Sequence, residues 1–474
     1  MQKYLAVLAS ALSLATLFPI AADSQPAPAP VPLASPTAVP TLPPGVTQTR
    51  IQPGIPQAIT VQQAIAVAAE RSPVLAAARA NYQLTQIPVE LARTAIFPNI
   101  SGTATHAHSN RGPVTGGQGA VVATGVSGTS NGFNANLHQL IYDGGKFIAQ
   151  IHQARAGAVA GAETYERDLE TLSFNVAQAY YTALASQAAT NLAAQVLHQN
   201  QVQASLVEAQ LRAGVASRVD VATAELPVAQ ARVALVKAQG QEVSANAAFA
   251  NELGLDADIA VTPVNNTPSN PTQSFVTALP YDQSVRRALA LRPDFLSAQD
   301  TVMSAEYNVQ VQRSNLYPQL SGTAQYGTNS TSLNGGNYVP GSAFGVTLNI
   351  PIFDQGVTHA ETAQAQAQLD VARAQLAQTR LGVELAVRQA LVGLVSAQGQ
   401  VDETQAELTQ ARTVLSATQA QYRAGVTTLP LLLNAQVNLT TAQTDQLNAV
   451  YNLRQAEQTY IYALGEASIN PSPQ

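Results

Sequence analysis

His106 and His108 are two residues apart, so on a strand both imidazoles share one face, and His138 lies near enough in the chain to sit on a neighbouring strand. That is the beginning of a metal-ligand set. Nothing extends it: the chain has no cysteine, hence no thiolate chemistry, no Cys-based zinc site and no disulfide. A polar lining of a barrel or loop accounts for the same three histidines without an ion. The run Gly116-Gly117-Gln118-Gly119-Ala120 follows no buried strand and opens no helix, so it is not a phosphate loop. No Ser/His/Asp order with a supporting context occurs, and no carboxylate pair in a pocket-like setting. Tyr142-Asp143-Gly144-Gly145 reads as a turn from a strand into a helix, with Asp143 as N-cap. The sequence therefore predicts no enzyme, no cofactor and no metal.

What positions these residues is written twice. Pro73 pairs with Pro293, and "FPNISGTA" from Phe97 with "YPQLSGTA" from Tyr317. Further on, Asp143 pairs with Asp354, Arg212-Ala213-Gly214-Val215 with Arg423-Ala424-Gly425-Val426, and Leu253-Gly254 with Leu464-Gly465. The spacing shortens between Thr105 and Phe133, where the first copy carries a Gly/Ser/Thr-rich stretch. A repeat of about 210 residues is too long for a solenoid unit and reads as two homologous halves of one symmetric object.

Only 11% of residues are charged, 5% are aromatic, and there is no Trp. Ala and Gln dominate the middle of each half. They favour helices and supply little bulk, so the helices should pack closely. A net charge of −6 gives no reason to expect nucleic acid. Residues 1–22, with Lys3 ahead of an apolar run and then Ala21-Ala22-Asp23, read as a secretory signal. Residues 23–57 read as a disordered Pro-rich leader: ten of the 27 prolines fall between Pro26 and Pro56. The first repeat spans 58–254, a Pro/Asn/Thr-rich linker 255–280, the second repeat 281–465, and a disordered tail 466–474.

Each half has the same order of signals. Helical stretches at 60–97 and 281–317 stop at Pro98 and Pro318. Strands follow near 99–110 and 132–142, and near 319–328 and 342–352. In the last of these Phe344, Val346, Leu348, Ile350 and Ile352 alternate with small or polar residues. Long proline-free helices at 146–211 and 357–422 come next. In the second, Val387, Leu394, Val401, Leu408, Leu415 and Tyr422 recur every seven residues as a coiled-coil seam. The first keeps Val176, Leu197 and Leu211 but interposes Ala183, Thr190 and Ala204. Turns at Gly214 and Gly425 reverse the chain into returning helices, and Pro88 and Pro227 should kink or break theirs. Four strands cannot close a barrel, and an open edge in lipid leaves backbone groups unpaired. If these are membrane strands, several chains must assemble the barrel.

The strings at these junctions carry a resemblance. "ARTAIFPNISG" and "QRSNLYPQLSG" precede the first strand of each half; "LIYDGGK" and "IPIFDQG" lead into the long helices; "LRAGVASRVDV" and "YRAGVTTLPLL" form the tips; "NELGL" and "YALGE" close the copies. In this order, twice, they resemble the TolC-type outer-membrane efflux proteins, over essentially everything from Thr60 to Gly465. The resemblance implies a mainly α fold with a small β part. Long helical hairpins would form an α-barrel, and four strands per chain would enter a trimeric, 12-stranded transmembrane β-barrel. It also implies a homotrimer in the bacterial outer membrane, in contact with its lipid and reaching into the periplasm. Such a duct is passive and serves tripartite efflux or type I secretion, opened by a periplasmic adaptor and an inner-membrane pump or secretion ATPase.

For the tips, the resemblance implies a gate. Asp220 matches the family's acidic position after the first tip. The second tip departs from the pattern: Thr427 stands at the Arg position, and Leu431 and Asn434 at the acidic ones. Arg218, Tyr422 and Arg423 are further gate candidates. A three-fold ring of Asp220 carboxylates would attract cations, and Leu431 with Leu432 suggests a more apolar gate. Gly214, Val215, Gly425 and Val426 are the turns and the implied adaptor-docking points. A periplasmic coiled-coil adaptor or structural protein without a membrane barrel is the alternative, and the duplicated strand pair discriminates against it.

Overall fold

In the computed structural model, residues 50, 56–111, 114–115, 121–123, 126–264, 274–332 and 339–467 are described. The signal, most of the leader, Gly116–Ala120 and the end of the tail lie outside them. The first copy runs β1 (Ala58–Ile59), α1 (Val61–Arg71), α2 (Pro73–Thr94), β2 (Asn99–Arg111), β3 (Val114–Thr115), β4 (Val121–Ala123), β5 (Val126–Tyr142), α3 (Lys146–Arg212) and α4 (Arg218–Glu252). The second runs β6 (Thr262–Pro263), α5 (Tyr281–Leu291), α6 (Pro293–Ser314), β7 (Gln319–Ser332), β8 (Val339–Asn349), α7 (Val357–Arg423) and α8 (Leu429–Leu464).

The leading helical stretch of each half is two helices, not one. Ser72 and Arg292 adopt extended backbone (ψ 121° and 120°) ahead of Pro73 and Pro293, because proline disfavours the helical conformation in the residue before it. The opposite correction applies to Pro88 and Pro227. Both sit inside α2 and α4 without breaking them. Their neighbours Val89 and Val228 are buried, so tertiary packing outweighs the lost hydrogen bond.

α3 and α7 are 67 residues each. α2 and α4 both pack on α3, while α6 and α8 lie between α3 and α7. The result is a row of four columns: α2 with α4, then α3, then α6 with α8, then α7. The α7 seam residues Val387, Leu394, Val401, Leu408 and Leu415 are all buried. The buried set of α3 is dominated by alanine, which is how a chain poor in bulky residues still brings long helices together. α1 and α5 buttress the middle of the row, where Tyr180 and Phe249 centre one core cluster and Val387, Leu453 and Tyr460 another.

Glycines at two equivalent joints are needed for the helix ends. Gly254 and Gly465 have φ of 71° and 77°. A Cβ there would stand 2.8 Å from the Arg71 carbonyl oxygen or 2.9 Å from the Arg292 backbone nitrogen. Within 255–280, Leu255, Ile259 and Val261 are buried, and β6 pairs in parallel with β1. Glu466 forms an ion pair with Arg287.

The main sheet has the order β2-β5-β7-β8, every pair antiparallel. The centre of the sheet joins the two copies, and its outer strands, β2 and β8, each have one edge unpaired among the described residues.

Candidate functional site

Both tips close by the same device. The Val215 N–H donates to the Gln210 carbonyl at 2.9 Å and the Val426 N–H to the Gln421 carbonyl at 2.9 Å. Gly214 and Gly425 hold φ of 76° and 74°. These are Schellman closures, and the left-handed residue is glycine because a Cβ is penalised there. Val215 and Val426 are 76% and 78% exposed at the apices.

Beyond the turns the tips diverge for a local reason. Ser217 caps α4 and Asp220 answers it: the Asp220 N–H donates to Ser217 Oγ at 3.1 Å, and the Ser217 N–H and hydroxyl donate to Asp220 Oδ2 at 2.8 and 2.7 Å. This is a capping box. Those two hydrogen bonds hold the Asp220 carboxyl below the usual carboxylate range. Leu431 occupies the equivalent position in α8 and cannot close a box, so the Thr428 side chain caps nothing and Pro430 occupies the first turn instead. Thr427 is half-buried, Leu431 and Asn434 are exposed on α8, and Arg218 and Arg423 are exposed. Among the described residues no ion pair joins Asp220 to either arginine. Leu432 is buried with Leu408, Leu415 and Leu439 between α7 and α8, so it is core rather than gate lining.

Tyr422 connects the two tips. Its hydroxyl donates to Gln210 Oε1 at 2.9 Å, across 212 residues of sequence. Leu429 is buried among Leu197, Val207 and Val228 of the first hairpin. Burial and the nearby Asp220 charge both raise the Tyr422 pKa, keeping its phenol protonated and a donor. Gln210 and Leu429 carry no sequence signal that singles them out.

At the other end of the long helices the junctions repeat. Asp143 accepts from the N–H of Gly145 (3.2 Å) and Phe147 (2.7 Å), and Asp354 from those of Gly356 (3.0 Å) and Thr358 (2.8 Å). The formal cap residues are the left-handed Gly145 and Gly356. Each aspartate therefore reaches the first turn from two residues further out than an N-cap.

The register sorts the sheet into two faces. One carries Ile100, Ala104, Phe133, Leu137, Tyr326, Phe344, Val346 and Leu348, and Phe344 is 88% exposed. The other carries Ser101, Thr103, Asn134, Asn136, His138, Thr323, Gln325 and Thr347. His138 pairs with Asn99, on the polar face. His106 and His108 oppose Asn131 and Thr129 on the apolar face. The three histidines thus do not meet, and the expected polar lining holds for His138 but not for the other two. Among the described residues no group of three or more potential ligands could hold a metal.

One ionic cluster was not apparent from sequence. Arg167 pairs with Glu170 at 2.7 Å, and Arg292 donates twice to Asp294, at 2.5 and 3.0 Å. Arg167 also stacks over Tyr462. Burial works to raise the Asp294 pKa, but the Arg292 contacts outweigh it and hold the carboxyl below its usual range. Residues from α3, α6 and α8 are tied together at mid-height.

Two long helical hairpins and a sheet with one apolar and one polar face are the architecture of an outer-membrane channel protein. The chain belongs to the outer membrane efflux protein family, whose model matches residues 64–255 and 285–466. It is 25% identical over 413 residues to the outer membrane efflux protein BepC of Brucella suis, covering 86% of this chain and 85% of the relative. It is 26% identical over 411 residues to CyaE of Bordetella pertussis, covering 86% and 84%. Among solved structures it resembles the CmeC outer membrane channel of Campylobacter jejuni, with TM-score 0.74, 18% identity and 86% of each chain covered. The likeness to VceC of Vibrio cholerae has TM-score 0.73, with 19% identity and coverage of 85% and 96%. The protein is located in the outer membrane, and the alternative of a coiled-coil adaptor without a barrel is set aside.

Proposed function

We propose that three copies of this chain form a passive exit duct for an efflux or type I secretion system, opened from the periplasmic side by an adaptor and an inner-membrane pump or secretion ATPase. The observation that carries this reading is the pair of unfilled margins at opposite sides of the protomer. Among the described residues β2 and β8 are unpaired at the sheet's two edges. The helical row has matching open faces. Leu381, Leu385, Val392 and Val395 are 57–66% exposed on the outer face of α7. Val219, Leu226 and Val233, every seventh residue of α4, are 58–73% exposed. Two apolar seams at heptad spacing want partner helices, and two strand edges in lipid want partner strands. Copies of the same chain supply both, giving 12 strands and 12 columns.

Within that duct we assign the gate to the tips. Asp220 supplies three carboxylates around the axis, where they attract cations. Tyr422, through Gln210, holds the second tip against the first in place of the missing Arg lock, with Thr427, Leu431 and Asn434 on the returning helix beside them. Val215 and Val426 at the apices are the adaptor contacts. No step of transport requires chemistry in this chain. Recording from single channels in planar bilayers tests the reading. The expected result is a small, mostly closed, cation-preferring conductance that grows in Asp220→Ala. An anion-selective pore indifferent to that substitution overturns the gate assignment, and a protein that stays monomeric overturns the duct.

A further inference from the structure

We propose that His106 and His108 bind the phosphate groups of outer-leaflet lipid headgroups at the far rim of the apolar band. The inference rests on the barrel reading above. Both residues lie on the face of β2 that carries Ile100 and Ala104, so they continue the lipid-facing surface instead of lining the polar one. Measured from Asn99 at the foot of β2, they stand about 24 and 31 Å along the strand at about 3.4 Å per residue. With strands tilted by about 40°, that is about 18 and 23 Å along the barrel axis, against an apolar band about 25 Å tall. With the band counted from Asn99, His108 stands about 2 Å and His106 about 7 Å below its upper edge, on the side away from the helices.

The geometry turns one nitrogen of each ring outward. His106 Nδ1 is held by Asn131 Oδ1, and His108 Nδ1 by Thr129 Oγ1 at 3.1 Å. Both rings are exposed, and each Nε2 has no protein partner among the described residues. A ring nitrogen that carries a proton donates to an anionic oxygen. No Asp, Glu, Lys or Arg shares this face on β2 or on β5, the one strand paired with it. The outward residues of β8, which would meet the open edge of β2 in the next copy, are likewise uncharged: Ser342, Phe344, Val346 and Leu348. A donor here has no internal carboxylate to satisfy it. A lipid phosphate at the same depth is the complementary group.

The test compares the full-length protein in nanodiscs of phosphatidylcholine alone and of phosphatidylcholine with about one-fifth phosphatidic acid. Thermal dissociation of the oligomer is read on gels. In the wild type the acidic lipid should raise the dissociation temperature by about 3 °C or more. His106→Gln/His108→Gln should lose that gain. Equal gains in both proteins, or no gain in the wild type, overturn the proposal. So does a gain reproduced by inorganic phosphate added to phosphatidylcholine discs, because the contact would then not be with lipid. The unheated oligomer band in phosphatidylcholine reports the barrel itself. Its loss strikes the barrel reading, whereas its presence without a lipid-dependent shift strikes the phosphate contact alone.

Discussion

Asp220 has two roles that pull on one carboxylate. It closes the capping box with Ser217, and in the proposed duct it faces the constriction. Its pKa is depressed by the Ser217 hydrogen bonds, so the charge is complete above the ordinary value of about 3.9 and is lost as pH falls through the lowered one. Cation preference in bilayer recordings should therefore be flat from pH 8 to pH 5 and fade only in stronger acid. A preference that titrates near neutrality points to another group. Tyr422→Phe deletes only the bond to Gln210. A net loss of about 0.5–1.5 kcal/mol at a part-buried hydrogen bond should raise the open probability several-fold, with the unfolding temperature nearly unchanged. Some of this was legible in the letters. Ser217 three residues before Asp220 is a cap signature, and its absence at Thr428 with Leu431 is equally plain. Gln210 was not legible, because its partner is a whole repeat away and many glutamines surround it.

Elements were legible where local chemistry decides and hidden where packing does. The glycine turns, the strand alternation and the long proline-free helices followed from spacing alone. The divisions before Pro73 and Pro293 were missed because helical patterning continues across them, although the extended Ser72 and Arg292 are what proline demands of a preceding residue. At Pro88 and Pro227 the helices are not broken, since burial of the adjacent valines carries the helix through. Gly254→Ala should lower the thermal unfolding temperature followed by circular dichroism. The cost is on the order of 1–3 kcal/mol, because the new Cβ meets the Arg71 carbonyl and the backbone is left-handed. Gly465→Ala should behave alike, and a neutral outcome at either would show that the joint can relax.

For the whole molecule, the decisive property is that one chain leaves an apolar face of α7 and another of α4 uncovered. Leu385→Asp with Val392→Asp places two charges on the open face of α7 without touching the buried seam. The heat-modifiable oligomer should disappear from unheated gels while the protomer's helix content is retained. An intact oligomer would mean that α7 is not at the joint between copies. From the strand count, the sequence leads to the expectation that copies meet. It could not say which face of α7 turns outward, because Val387 and Leu394 belong to one heptad series and Leu385 and Val392 to another only two residues away, and only packing tells the inner from the outer.

The β5–β7 pairing that stitches the two copies inside one protomer is the same kind of seam that β8 and β2 would form between protomers. A closed ring would then hold six near-identical wedges in alternating order. Duplication within a single gene frees neighbouring wedges to drift apart, and the tips record that drift: an acid at Asp220 in one, an aliphatic at Leu431 in the next. The mouth would present charged and greasy sectors in turn around its circumference, a pattern that a ring of six identical half-length chains has no means of encoding.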